Sequence, residues 1–104
     1  MGINYGDLMK QARVMQKKLE AAQEELKNMV FEASSGGGAV KVKVNGEQEL
    51  LEVKINKKTI DVNDIEMLED MVMVAINDAL AQAKNEYKNK MSSFTGGMNI
   101  PGLF

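Results

Sequence analysis

The sequence has no cysteine, no histidine and no tryptophan, a single proline, and only 5% aromatic residues. Without cysteine there is no disulfide and no thiol redox chemistry. Without either cysteine or histidine, the usual zinc sites and every Ser-His or Cys-His catalytic arrangement are excluded. No apolar run approaches the roughly 18 residues of a membrane span. The start, Met1 to Asp7, has neither the basic opening nor the apolar stretch of a secretory leader. These absences lead us to expect a soluble cytoplasmic protein that is not an enzyme, with no cofactor, no metal, no membrane contact and no small-molecule substrate.

What is present indicates one folded domain. The chain has 104 residues, 44% hydrophobic and 27% charged, a balance that favours a packed core over disorder. Methionine is frequent, at nine, and large rings are scarce. A core of this size built with few rings is thin, so burial between chains is expected to supply the rest.

Hydrophobic periodicity divides the chain into four segments. In residues 8 to 29, Leu8, Ala12, Met15, Leu19, Ala22, Leu26 and Met29 alternate steps of four and three, the period of a narrow helical seam. Asn4 or Asp7 is placed to cap that helix. Its seam would pack on its own domain, on the second helix or on a partner subunit. From residue 30 the period becomes two. Val40, Val42 and Val44 alternate with lysines, and Leu51, Val53 and Ile55 alternate with polar residues, with Asn45-Gly46 between the runs as a hairpin signal. Phe31 and Ala33 mark a shorter strand before the Gly36-Gly37-Gly38 turn. The expected result is an antiparallel three-stranded meander whose apolar face needs a cover.

Residues 63 to 90 read as a second long helix. Asn63 is placed to cap it, with Glu66 completing a capping box and Val62 and Met67 a staple. Ile65, Leu68, Val72, Ala75, Ala79, Ala83 and Tyr87 form one apolar line, suited to cover the sheet. Met67, Met71 and Val74 form a second, suited to another subunit. We therefore expect an α+β fold of long helix, three-stranded antiparallel sheet and long helix in a single domain over 1–91. Met71, Met73 and Val74 are expected at a dimer interface, and 92–104 is expected to be a flexible C-terminal tail.

Charge order separates the two helices. In the second, Asp64, Glu66, Glu69 and Asp70 come early and Lys84, Lys88 and Lys90 late, as the helix dipole favours. In the first, Lys10, Arg13, Lys17 and Lys18 come early, with no acid between residues 8 and 18, and Glu20, Glu24 and Glu25 follow. The dipole disfavours that order, so helix stability does not explain it. A stripe that meets phosphates does. At about 1.5 Å per residue the second helix outruns a strand of about seven residues, so it is expected to run back past the sheet beside the start of the first, where Lys84, Lys88 and Lys90 meet Lys10, Arg13, Lys17 and Lys18 in one protruding basic tip. The overall charge is nevertheless -2.

Other motifs carry less. Gly36-Gly37-Gly38 is followed by a strand and by no Lys-Ser/Thr, so it is a turn and not a phosphate loop. Asp61 to Glu66 resembles a calcium loop only superficially, since Ile65 falls on a ligand position and the sharp-turn glycine is missing. Lys41, Lys43 and Lys54, beside Glu52, suit cross-strand pairing on the polar sheet face.

The run Gly36-Gly37-Gly38-Ala39-Val40-Lys41-Val42-Lys43-Val44-Asn45-Gly46, then Val53-Lys54-Ile55, Ile60-Asp61, Glu69-Asp70-Met71-Val72 and Ala75-Ile76-Asn77-Asp78-Ala79, resembles the YbaB/EbfC family of small bacterial nucleoid-associated proteins. The likeness covers nearly the whole chain and is strongest from 33 to 88. It implies a homodimer with sheets and second helices packed together and paired helices projecting as arms. It also implies double-stranded DNA as the partner, bound with weak or variable sequence preference by the projecting helices, and a role in nucleoid organisation and gene expression. The sequence has one arginine, Arg13, and arginine is the usual reader of guanine edges, so little sequence specificity is expected. The alternative is a dimeric protein-binding adaptor without DNA affinity, in which the basic stripe is merely solvated. RNA is a weaker reading, because the low aromatic content disfavours single-strand stacking platforms.

Overall fold

A computed structural model describes residues 4–94 and shows an α+β subunit in the order helix, three strands, helix. Helix α1 spans Tyr5–Asn28, strands β1, β2 and β3 span Val30–Ser35, Val40–Asn45 and Leu50–Ile55, and helix α2 spans Ile65–Ser92. The strands form an antiparallel meander in chain order. β1 is as long as its neighbours rather than shorter, because every residue from Val30 to Ser35 finds a partner on β2. Among the described residues, no helix is long and apolar enough to cross a membrane. The expected tail lies outside the described residues beyond Phe94, while Ser92 closes α2.

The body is a two-layer sandwich made of small side chains. Ala33, Val40, Val42 and Val44 face Ala75, Ala79 and Ala83 of α2 across a buried layer, flanked by Phe31, Leu68, Met71, Val72, Ile76 and Leu80. The alanine line lets α2 lie close over β1 and β2, as its spacing required. At the two ends of that line, Ile65 is mainly exposed and Tyr87 only partly covered. Among the described residues no ring is fully buried, and the largest fully buried side chains are Leu26, Val40, Val42 and Val44.

β3 stays outside this cover. Val53 and Ile55 pair with Val42 and Val40 and share their face, yet both are exposed, as are Leu50 and Leu51. A register shift at Lys43/Val44 sets Leu50 opposite Val44, as a β-bulge does. Met73 and Val74 are 59% and 58% exposed, whereas Met71 packs against the subunit's own core. Ser35 Oγ donates to the Met71 carbonyl at 2.5 Å.

The caps differ partly from expectation. Asn4 caps α1, its Oδ1 accepting from the Asp7 amide at 3.3 Å. At α2 the cap is Asp64 rather than Asn63, its carboxylate accepting from the Met67 amide at 3.1 Å. Asn63 is held one step earlier by an Asx turn, its amide donating to Asp61 Oδ1 at 2.9 Å. The turn shifts the helix start by one residue, so Glu66 loses the position a capping box needs. Val62 and Met67 are both mainly exposed and make no staple.

Two glycine sites shape the ends of the sheet. Gly36, Gly37 and Gly38 have φ of 61°, 67° and 94°, a left-handed run that other residues adopt at a cost. At the other end the Asn45 side chain organises the β2–β3 turn, accepting from the Glu47 and Glu49 amides at 3.0 and 2.9 Å. Gln48, not Gly46, takes the positive φ there. Gly46 serves a different purpose. Its amide donates to the Leu26 carbonyl at 2.8 Å, and a Cβ at this position would overlap that carbonyl. α1 thus leaves the body through a backbone contact that admits only glycine.

Candidate nucleic-acid interface

Most of α1 is free of the body. Of its side chains only Ala22 and Leu26 are buried, and every residue from Tyr5 to Ala21 is exposed. At about 1.5 Å per residue, α1 is about 36 Å long. The greater part of it stands clear, which fits the 75 Å longest extent of the subunit. Leu8, Met15 and Leu19 of the seam are exposed, so within one subunit only its proximal members Ala22 and Leu26 are buried and the distal part covers nothing.

Lys10, Arg13 and Lys17 fall within about 60° of one another around α1, from the helical rotation of about 100° per residue. Lys18 lies on the adjoining side, where Lys10 and Lys18 border a shallow groove shared with Asp7, Gln11, Val14 and Met15. None of these four cations makes an ion pair among the described residues. Glu20, Glu24 and Glu25 follow toward the body, so the cationic half of α1 is the distal half.

The two basic clusters of the helices do not meet. Lys90 pairs with Glu25, and Met91 is buried, so the end of α2 docks on the last turns of α1 rather than beside its start. The reason is length. α2 spends its turns from Leu68 to Ala83 crossing the sheet, and the remaining turns reach only the base of α1. Lys84 and Lys88 are exposed at that base, while Lys90 is half-buried with its carboxylate partner. Lys10 and Glu25 are separated by about 22 Å along the helix.

The polar sheet face is largely self-neutralised. Lys43 reaches Glu32 at 3.3 Å and Glu52 at 3.5 Å, and Lys54 reaches Glu52 at 3.2 Å. The hydrogen bond to Glu32, with Glu52 adding to it, raises the Lys43 ammonium above its ordinary pKa. The hydrogen bond from Lys54 holds the Glu52 carboxyl below its ordinary range against partial desolvation. The cross-strand pairing expected of Lys43 is present, whereas Lys54 pairs with Glu52 of its own strand. Lys41 makes no ion pair among the described residues. Among them, too, no group of three or more acidic side chains is arranged to hold a metal ion.

A thin two-layer body with one long uncovered helix defines the class: a small α+β subunit of helix, three-stranded sheet and helix. The profile of the YbaB/EbfC DNA-binding family matches residues 1–98, and the chain belongs to that family. It is 47% identical over 103 residues to a nucleoid-associated protein of Clostridium novyi, covering 99% of this chain and 90% of that one. A nucleoid-associated protein of Thermoanaerobacter pseudethanolicus is 45% identical, with 99% and 93% covered. The crystal structure of an uncharacterized protein from Helicobacter pylori superimposes with a TM-score of 0.80 at 26% identity, over 90% of this chain and 99% of that one. The family is named for DNA binding, not for a reaction.

Proposed function

We propose that the protein binds duplex DNA with little sequence specificity through the distal half of α1, as a homodimer that contributes to nucleoid organisation and gene regulation. One observation carries this reading: Lys10, Arg13, Lys17 and Lys18 sit, without an ion pair among the described residues, on a free-standing helix in an order that the helix dipole disfavours. Nothing in the subunit's stability accounts for them, and a polyanion does. A lone helix about 10–12 Å across also matches the roughly 12 Å width of the DNA major groove. Phosphate contacts of this kind position a protein without reading sequence. Lys84 and Lys88, at the base of the arm, are secondary contacts, and Lys90 serves mainly to brace α1 through Glu25.

A second copy of the chain is the cover we infer for the bare inner face of β3 and the adjoining side of α2. Val53 and Ile55 on the core-facing side of β3, and Met73 and Val74 on α2, are apolar side chains left exposed on a subunit whose described residues include no fully buried ring. Small cores of this kind gain their stability from association. The membership in a nucleoid-associated family supports a location on the chromosome.

The test is fluorescence anisotropy of a short duplex across a salt series, with the wild type and a Lys10→Glu, Arg13→Glu, Lys17→Glu variant. For each phosphate that the protein ceases to neutralise, the slope of log affinity against log salt should become shallower by about 0.9. The variant should therefore show close to three such decrements. An unchanged slope would move the phosphate-binding surface off α1. Absence of wild-type binding at low salt would favour the adaptor instead.

A further inference from the structure

The outer face of the sheet holds two cross-strand rungs of unlike character. In one, Glu32, Lys43 and Glu52 stand side by side on β1, β2 and β3 with alternating charge. In the next, Ser34 is followed by Lys41 opposite Lys54. Like charges directly opposite on antiparallel strands are unfavourable. Glu52 relieves Lys54, but no carboxylate reaches Lys41 among the described residues.

Just beyond the strand ends the chain adds Lys57 and Lys58, both exposed and without an ion pair among the described residues. Their turn is fixed. The Asn56 amide donates to the Ala39 carbonyl at 2.8 Å, Asn56 Oδ1 accepts from the Lys58 amide at 3.0 Å, and the Thr59 amide donates to the Asn56 carbonyl at 3.1 Å. The turn is thereby tied to the β1–β2 connection, where Gly36, Gly37 and Gly38 present backbone without side chains. The Lys41 side chain lies beside Gly38. The acidic first turns of α2 belong to the layer on the opposite, apolar side of the sheet. Asp61, the next acid along the chain, is engaged by the Asn63 amide.

This cluster sits at the Ser35, Val40 and Ile55 end of the sheet, whereas α1 departs from the Asn45 and Gly46 end. The strands alone separate the two ends by about 20 Å, and the distal half of α1 extends farther still. We propose that Lys41, Lys54, Lys57 and Lys58 form a second phosphate-contacting surface, and that the protein holds two duplex segments at once, one on the arm and one at the far end of the sheet. The proposal rests on the DNA-binding reading of α1 given above.

The experiment couples a duplex to beads, adds protein, and measures capture of a second, labelled duplex. Single-duplex affinity is measured in parallel by anisotropy. The variants are Lys41→Glu, Lys57→Glu, Lys58→Glu and the milder Lys57→Gln, Lys58→Gln, with circular dichroism to confirm the fold. Wild type should capture the second duplex. The glutamate variant should lose capture by about tenfold or more with affinity for one short duplex changed less than about twofold, and the glutamine variant should fall between. Wild-type binding without capture would overturn the inference and leave the arm's function intact. Capture that survives both variants would overturn it too, assigning the bridging to the two arms of a dimer. Parallel loss of capture and single-duplex affinity would make the two clusters one surface, against the proposal. No binding of a single duplex by wild type would remove the arm's function and this inference together.

Discussion

The distal half of α1 and the α2-covered sheet are built from similar helical periods and meet opposite fates. In the body, the alanine line of α2 is buried against valines, and acids precede lysines along the helix. On the arm, Leu8, Met15 and Leu19 repeat just as regularly but remain exposed, and cations precede acids. The charge order of α2 suits its own stability, and that of α1 does not. Periodicity alone does not tell these cases apart, and charge order does.

Substitutions can sharpen that contrast. The largest effect is expected where arm and body join. Leu26→Ala removes a fully buried side chain and should cost about 3 kcal/mol in urea unfolding; a loss below about 1 kcal/mol would mean that the joint is not part of the cooperative core. Asp64→Ala removes the cap of α2 and should cost about 1 kcal/mol. The same substitution at Asn63 should cost less, and the reverse order would restore Asn63 as the cap. Met15→Ala on the arm should change stability by no more than about 0.5 kcal/mol at concentrations where the protein is monomeric. A larger, concentration-dependent loss would show that a second copy covers the seam.

The smallest effect is electrostatic. The Glu52 carboxyl titrates below its ordinary value because Lys54, and then Lys43, favour its charged form. Its contribution to stability is complete above the ordinary carboxylate range and disappears as pH falls through the lowered folded-state value. Because the pair is exposed, the contribution is minor. Lys54→Ala should raise the Glu52 midpoint toward its ordinary value in an NMR titration, and an unmoved midpoint would assign the shift to another cause.

Much of the fold is legible in the residues. Period two locates the strands, and the Asn45-Gly46 pair locates the hairpin. The line from Leu68 to Ala83 identifies the face of α2 that meets the sheet. What escapes is relative placement. The cap moves by one residue because Asp61 draws Asn63 into a turn, a competition between two side chains that suit either position. Periodicity puts Met71 on a second apolar line of α2, and only the fold shows that its side chain also closes over Gly36 and the edge of the subunit's own core. The cationic residues of the candidate site can be named from charge order alone. Their grouping cannot, since it depends on how many turns of α2 the sheet consumes before Lys90 meets Glu25.

Gly46 makes the arm a lever. Its fulcrum is the contact between the Gly46 amide and the Leu26 carbonyl, and nearly the whole length of α1 lies on the far side of it. For an arm about 36 Å long, a tilt of about 10° at the fulcrum swings the tip by about 6 Å, half the width of a major groove. A single methyl group added at Gly46 would move Lys10, a residue it never touches, farther than any other cation of the arm.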